Sequence, residues 1–574
     1  MNEGKNIFFN PVVIIAYILI FIVLTFPLIL NFRRAFAGSP AGYGDLPWEI
    51  WLQWFVSDSI RGGNSFFFTE LTSFPLGTNI FRDTGFFFIP LLATLVSLFL
   101  NQPPSYNVTV CLLVVFSAFA GYRLVLYLVG DRAAAFLGGF VFGFSSYAIN
   151  ELTYSRLPEA LGGFLALYIL FLLKLADDRK VQNALAAGIL MFLTTMSSFT
   201  YGLFSLLFTT GFFIVKVCFR RRFDPLLLKR FILLFVIALV LAAPYVGLYI
   251  HRARLPFLAA QEAIAGPPDE LLRQDAIRNS LSLDFPLREE GLFGVPKKIS
   301  LLVLAISLFS FFLVGKKLKL WLVVGGSAYI LALGPYLKVS GYLVTVGGRA
   351  VPLPGLLLYR FFPFFSRVEW NYRFLVFLMM SLAVASAYGC AALARRYDVS
   401  NAVRCLTVII VITLVMVEMK IRNSAEIFPF PLMKAGVPEI YRRLAGEKGD
   451  FAILQYPFGN NRYAYYQTIH GKKMFDGQAN LTQEYPEGYF EYIESNSLLS
   501  ALLTLQFGRP LPLVRARRES LERLGRLGFR YIIVHEDENN SKAVDRANRI
   551  LEGFTGVYLR YGDKCIVYRL PGSE

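Results

Sequence analysis

Apolar runs dominate the first 420 positions and are parted by short polar or basic connections. They lie at Pro11–Leu30, Val108–Val129, Ala133–Ile149, Ala160–Leu175, Leu185–Phe199, Tyr201–Phe219, Phe231–Ile250, Ile299–Val314, Trp321–Leu333, Phe374–Leu393 and Cys405–Met419. A helix rises 1.5 Å per residue, so runs of this length suit a hydrocarbon core of ~30 Å, and the pattern predicts about eleven spans. One further run, Gly85–Leu100, is shorter and contains Pro90. It reads as either a short span or a helix lying in the interface, and the second is favoured. After Met419 the runs shrink to strand length, at Phe451–Tyr456, Tyr531–Val534 and Cys565–Tyr568, with helical patterns over Val437–Gly446 and Leu513–Gly528. The expected architecture is a polytopic α-helical membrane domain over 1–420, with a large first loop at 31–107, and an extracytoplasmic α/β domain over 421–574.

Composition agrees with that pattern. Of 574 residues 55% are hydrophobic and 17% charged, with a mean hydropathy of +0.51, which excludes an ordinary soluble protein. The formal net charge is +17. No nucleic-acid-binding module accompanies it, so the excess is read as cytoplasmic loops and lipid contact, with no nucleic acid as partner. Basic clusters stand at Lys174 with Arg179-Lys180, at Arg220-Arg221-Arg222 with Lys229-Arg230, at Lys316-Lys317-Lys319, and at Arg395-Arg396 with Arg404. The positive-inside rule puts all four in the cytoplasm. The N-terminus is then cytoplasmic, Gly85–Leu100 does not cross, and the large connections and the C-terminal domain face outward. Pro11–Leu30 lacks a small-residue cleavage site and reads as a retained first span of a plasma-membrane protein. Cys565 alone lies in the C-terminal tail, so no disulfide closes within it. His251, His470 and His535 are too scattered for a metal-ligand spacing.

Candidate chemistry begins after the first run, in GYGDLPWEIWLQW. Asp45 and Glu49 stand one helical turn apart, with Trp48, Trp51 and Trp54 every third residue. The spacing predicts a helix with both acids on one face and an aromatic anchor at headgroup level. The outward loops 251–298 and 335–372 carry basic residues where the positive-inside rule calls for none, which makes them candidates to bind an anion; the alternative is screening of loop acids and headgroups. In the C-terminal domain, Tyr463–Gln478 is dense in aromatic and hydrogen-bonding groups, suited either to stacking on sugar rings or to packing as a loop.

This arrangement resembles the GT-C superfamily of integral-membrane glycosyltransferases. The residues carrying the resemblance are Gly44-Asp45 after the first span, the Pro75-Leu76-Gly77 turn, Asn150-Glu151 after the third span, Gly334-Pro335, the stretch FSRVEWNYRF containing Arg367 and Arg373, and YQTIHGKK from Tyr466. The resemblance implies a polyprenyl-phosphate-linked sugar as donor and a glycan, lipid or protein of the envelope as acceptor. It makes Asp45 the general base toward an acceptor hydroxyl and Glu151 a second acid. Arg252, Arg254, Arg367 and Arg373, with Glu49 and Arg82, would serve the lipid phosphate, and Tyr466, Gln467 and His470 the acceptor. Family members commonly carry a paired acidic motif in the first loop. Here Asp45 stands singly, with Glu49 one turn on, which leaves a divalent metal open. Two other classes remain. A transporter or flippase calls for charges within spans, and Arg123 is the main one here. A non-catalytic envelope-assembly protein would be indifferent to loss of Asp45.

Overall fold

The computed structural model describes residues 10–39, 45–80, 88–219, 224–253, 277–285, 298–362, 365, 368, 370–422, 428–476, 488–507, 518–536, 541–555, 558–562 and 564–571. These form two compact units. One comprises Met1–Ser39 with Gln102–Met433 and is helical; the other joins Pro40–Asn101 to Lys434–Glu574 and holds the α/β structure. The division differs from the one composition suggests. Most of the first loop, counted above with the membrane domain, packs instead with the C-terminal residues.

Eight helices among the described residues are long and apolar enough to cross a bilayer: Pro104–Val129, Arg132–Thr153, Leu157–Asp178, Phe199–Lys216, Pro225–Tyr245, Leu301–Ala332, Asn371–Arg396 and Asn401–Arg422. The run Pro11–Leu30 yields a shorter helix, Pro11–Leu24. It ends ahead of Pro27, whose ring has no N–H to give a helix. Val181–Ser197 is separated from Phe199–Phe219 by Ser198, which is extended (φ −152°, ψ 115°). Close helix approach is built from small residues. A Cβ on Gly143 would lie 2.5 Å from the Cα of Ala118 on the neighbouring helix, so only glycine permits that packing.

Leu301–Ala332 is continuous in hydrogen bonding but not straight. Ser307 Oγ donates to Leu382 O at 3.2 Å, while Gly325 lies against Ser381. Eighteen residues of straight helix would part Ser307 from Gly325 by ~27 Å, yet their partners are adjacent. The chain therefore folds back between them, at Val314, whose backbone leaves the helical region (φ −138°, ψ 27°). The two apolar runs Ile299–Val314 and Trp321–Leu333 are the two arms, and Lys316, Lys317 and Lys319 follow the bend.

The helix ends sort by chemistry. At one end Arg404 pairs with Asp131 at 3.2 Å, Arg179 with Asp224 at 2.5 Å, and Tyr388 donates to Leu128 O at 2.7 Å. Tyr127 joins these by donating to Asp177 at 2.7 Å. At the other end the same helices bring together Glu151, Glu159, Tyr372 and Arg373.

The second unit is organised by a five-stranded sheet of order Lys473–Met474, Ala452–Tyr456, Phe529–His535, Cys565–Arg569, Leu559–Tyr561. The first three strands are parallel and the last two pair antiparallel, with Leu454 opposite Ile532 and Ile533 opposite Val567. Burial on both faces explains why these strands read as unbroken apolar runs. Leu498, Leu502, Leu521 and Leu551 close the core from helices. The first-loop segment is stitched to the edge strand: Phe74 N donates to Met474 O at 2.9 Å and Met474 N to Leu71 O at 2.8 Å. Its helix Leu46–Gly62 begins at Asp45 with Pro47 in the first turn and stops at Gly63, whose φ of 67° suits glycine. The helix Phe88–Ser97 has ten residues, about 15 Å, which is half a hydrocarbon core.

Candidate functional site

The helix carrying Glu151 is interrupted. Arg132–Gly143 ends at Phe144, and Ser145 restarts it as Ser146–Thr153 by accepting from Ala148 N through its hydroxyl. This continuation puts Glu151 inside a helix, where the sequence reading had an outward connection beyond Ile149. Its side chain is fully buried. The chain then turns through Ser155, at a positive φ of 57°, and delivers Arg156 and Glu159 next to it. From the other side of the unit, the 3-10 turn Asn371–Phe374 supplies Tyr372 and Arg373.

Tyr372 connects the two charges nearest it. Its hydroxyl donates to Glu151 Oε1 at 2.9 Å and accepts from Arg156 Nη1 at 2.8 Å. Arg156 Nη1 itself is 3.9 Å from Glu151 Oε1, outside hydrogen-bond reach, so the phenol mediates the pairing. The Arg156 guanidinium is steadied by two rings, with its Cζ 5.4 Å from the centroid of Tyr154 and 4.9 Å from that of Trp370. Arg373 Nη1 pairs with Glu159 Oε1 at 3.1 Å and donates to Thr200 Oγ1 at 3.4 Å. Glu159 also accepts from Ser198 Oγ at 3.2 Å, and its carbonyl accepts from Tyr201, whose hydroxyl meets that of Tyr147 at 2.8 Å.

Two acids and two arginines thus balance in a buried, hydrogen-bonded cluster. Several buried polar atoms are left over. Glu151 Oε2, Arg373 Nε, Thr153 Oγ1 and Ser155 Oγ have no hydrogen-bond partner among the described residues. Buried carboxylate and guanidinium groups are costly unless satisfied. A carboxylate oxygen and a guanidinium N–H both outstanding in one cluster suit a ligand that brings both a donor and an acceptor, or ordered water.

The remaining expected residues are distributed as follows. Asp45 is half-buried at the start of Leu46–Gly62, and its side chain makes no capping bond to that helix. Glu49 is buried in the first turn. Arg82, Arg254 and Arg367 lie outside the described residues, as does the side chain of Arg252. Trp48 and Trp54 are half-buried, but Trp51 is not at a headgroup level: it is fully buried, stacked between Trp48 and Phe55. Its indole N–H donates to Gln467 Oε1 at 2.6 Å, and Gln467 Nε2 donates to Leu71 O and Lys472 O. Gln467 is fully buried, so its amide is committed to holding the first-loop segment and is not presented to an acceptor. His470 is buried too, with Nδ1 accepting from Lys472 N at 3.0 Å and its ring 5.3 Å from that of Tyr441. Burial, helped by the Lys472 cation, lowers its pKa to about 3. Tyr466 is buried against Tyr441, with ring centroids 4.8 Å apart. The aromatic tract is therefore a packed core. Sequence reasoning missed Arg156, Glu159 and Tyr372 as site residues; the available signal was the close spacing of Glu151, Arg156 and Glu159 between two apolar runs. No group of three or more His, Cys, Asp or Glu side chains among the described residues is placed to hold a metal ion.

No family model and no curated protein matches this chain. Among solved structures it is similar to the archaeal oligosaccharyltransferase AglB from Archaeoglobus fulgidus in complex with an inhibitory peptide and a dolichol-phosphate, at 14% identity and a TM-score of 0.48, over 94% of this chain and 72% of that one. It is also similar to ArnT from Cupriavidus metallidurans bound to undecaprenyl phosphate, at 11% identity and a TM-score of 0.47, over 97% of each chain. Likenesses this distant carry no weight for chemistry.

Proposed function

We propose that this protein is a membrane glycosyltransferase that moves a sugar from a polyprenyl phosphate to an acceptor of the cell envelope. The observation that carries the proposal is the buried Glu151–Tyr372–Arg156 and Arg373–Glu159 cluster, which gathers four charged side chains at one end of the membrane helices. Charges at membrane depth are expensive and mark a working site by default.

The reaction assigns them roles. An acceptor hydroxyl attacks the anomeric carbon; its oxygen forms the new glycosidic bond, and the bond from that carbon to the phosphate oxygen breaks. The acceptor proton goes to Asp45, the general base, since a sugar hydroxyl is a weak nucleophile without one. Polyprenyl phosphate leaves with the bonding pair. Arg373 and Arg156 stabilise the charge growing on it, because a guanidinium fork matches phosphate oxygens. Glu159 holds Arg373 in place, and Glu151 Oε2 takes a hydroxyl of the bound sugar. With the Asp131, Arg179 and Arg404 ends in the cytoplasm, the cluster and the α/β unit face outward, where a lipid-linked donor needs no nucleotide-binding fold.

The test is a strain lacking this chain, with polyprenyl-phosphate sugars measured in lipid extracts by mass spectrometry. The donor is expected to accumulate and one glycosylated envelope component to lose a sugar. Wild type reverses both, whereas Asp45→Asn or Arg373→Ala at equal abundance reverses neither. Unchanged donor pools and envelope glycans on deletion would refute glycosyl transfer. Full rescue by Asp45→Asn would remove only the base assignment.

A further inference from the structure

Two cations stand within membrane helices at the end opposite Glu151. Arg123 precedes Gly130, where Pro104–Val129 stops, and Lys174 precedes Arg179, where Leu157–Asp178 stops. At 1.5 Å per residue both lie ~7–10 Å inside their helix ends. The two helices pack against each other. Lys174 is met by rings: its Nζ is 5.5 Å from the centroid of Tyr127 and 4.9 Å from that of Phe171. Tyr127 comes one helical turn after Arg123, so the guanidinium shares its face, and the two cations are near enough to repel each other. Both cationic side chains are half-buried, while Tyr127 is 40% exposed. The group therefore opens to the outer surface of the helices.

A single cation in a span needs no ligand, because its stem can carry the charge to the interface. Two that repel across a helix pair cost more, and call for an anion between them. The acids at this end are engaged elsewhere. Asp177 accepts from Tyr127 at 2.7 Å. Asp178 acts on Lys174 without an ion pair to it among the described residues; its carboxylate takes Asn183 Nδ2 at 2.7 Å and Lys180 Nζ at 3.4 Å. Asp224 is paired with Arg179, and Asp131 with Arg404. Beyond the exposed Tyr127 ring lies lipid, and a tyrosine one turn from a helix end marks headgroup level. The anion that reaches this depth from the lipid side is a headgroup phosphate. The basic connections at the same end, Arg179-Lys180 and Lys229-Arg230, favour lipids of net negative charge.

We propose that Arg123 and Lys174, with the Tyr127 ring against the ammonium, form a binding site for the phosphate of one anionic phospholipid. The lipid belongs to the leaflet on the side of Asp131, Arg179 and Arg404, which the positive-inside rule makes cytoplasmic. The guanidinium fork matches two phosphate oxygens, and the ammonium adds a point charge beside them. One headgroup thereby relieves the repulsion and clamps Pro104–Val129 to Leu157–Asp178. The site is at the opposite helix ends from the Glu151 cluster, and it stands whether or not the protein transfers sugars.

The test uses the full chain in micelles of a neutral maltoside detergent. Lipid is titrated in, and bound copies are counted by native mass spectrometry. Wild type should hold one phosphatidylglycerol at a mole fraction that leaves phosphatidylcholine unbound. Arg123→Gln combined with Lys174→Gln should need at least ~10-fold more phosphatidylglycerol, since two charge-assisted contacts are lost. Lys316→Gln with Lys317→Gln removes two exposed cations and should shift the midpoint less than ~2-fold. Equal retention by wild type and the Arg123–Lys174 variant would overturn the proposal, as would an equal loss in the Lys316–Lys317 variant. Displacement of the lipid by excess inorganic phosphate would also overturn it, by making the site one for a small free anion. Circular dichroism checks that the double variant folds. If it does not, Lys174→Gln alone decides, and an unchanged midpoint there would sink the lipid site.

Discussion

The Tyr372 hydroxyl is the smallest group whose removal tests the charged cluster. Tyr372→Phe keeps the ring, its burial and its edge contact with Trp370, and deletes one oxygen. That oxygen makes two hydrogen bonds, at 2.9 Å to Glu151 and 2.8 Å to Arg156, and both partners are charged. Bonds of this kind contribute ~1.5–3 kcal/mol each. Without the phenol, Glu151 Oε1 retains Asn150 Nδ2 at 3.3 Å and an Arg156 nitrogen too distant to bond. The expected loss is about 2–4 kcal/mol, allowing for partial relaxation. The assay is equilibrium unfolding in mixed micelles, followed by circular dichroism, for wild type, Tyr372→Phe, Glu151→Gln and the double variant. If the phenol bonds the carboxylate, Tyr372→Phe should cost at least ~1 kcal/mol less when Gln is already at 151. Additive losses, within ~0.5 kcal/mol, would mean that the two side chains do not act together and that the cluster is only packed polar residues.

Other perturbations bear on the remaining assignments. His470 is neutral in the fold down to a pKa of about 3, whereas an unfolded histidine titrates near 6.5. Its stabilising share is therefore complete above pH 6.5 and lost as pH falls from there toward 3. At pH 5 the loss is ~2 kcal/mol, and thermal unfolding of the full chain at pH 7.5 and pH 5 should show a larger pH effect in wild type than in His470→Phe. Trp51→Phe leaves the buried Gln467 Oε1 without its indole donor and should lower stability by ~1–3 kcal/mol, read by the same unfolding assay, with hydrogen exchange rising in strand Lys473–Met474. Gly143→Leu forces a side chain into the Ala118 backbone and should abolish stable insertion, measured as protease sensitivity in membranes. Single cysteines at positions 45 and 541 should both react with a membrane-impermeant thiol reagent in intact cells; reaction at only one would place an additional crossing between them.

Much of the helical unit was legible because lipid leaves little choice. A backbone in lipid, with no water to bond, must be helical or part of a closed barrel, and apolar runs of ~20 residues mark the helices. Even the fold-back at Val314 was visible as two runs parted by lysines, although length alone counts that stretch as one helix. What escaped had its cause outside the local sequence. The continuation from Ile149 to Thr153 depends on a serine cap in a stretch that otherwise reads as a loop, and it changes Glu151 from a loop acid to a buried one. Arg156 looked like a connector residue because Tyr372 and Trp370, which give it a role, stand more than 200 positions later. Trp51 resembled part of a headgroup belt since periodicity cannot distinguish lipid from a protein core. The partner of Trp51 is in the last third of the chain.

The discontinuity of the α/β unit also imposes an order on biosynthesis. Trp51 and Gln467 are 416 residues apart, so at ribosomal rates of ~5–20 residues per second the indole waits roughly 20–80 s for its amide. For most of that interval, from Asn101 until Ala452 is reached, the Pro40–Asn101 segment is already translated while none of the five strands of its sheet has been. Its exposed aromatic side chains then need shelter, from the lipid surface or from a chaperone. Truncation anywhere upstream of the sheet would therefore strand this segment as an aggregation-prone fragment, even with every helix that precedes the cut correctly inserted.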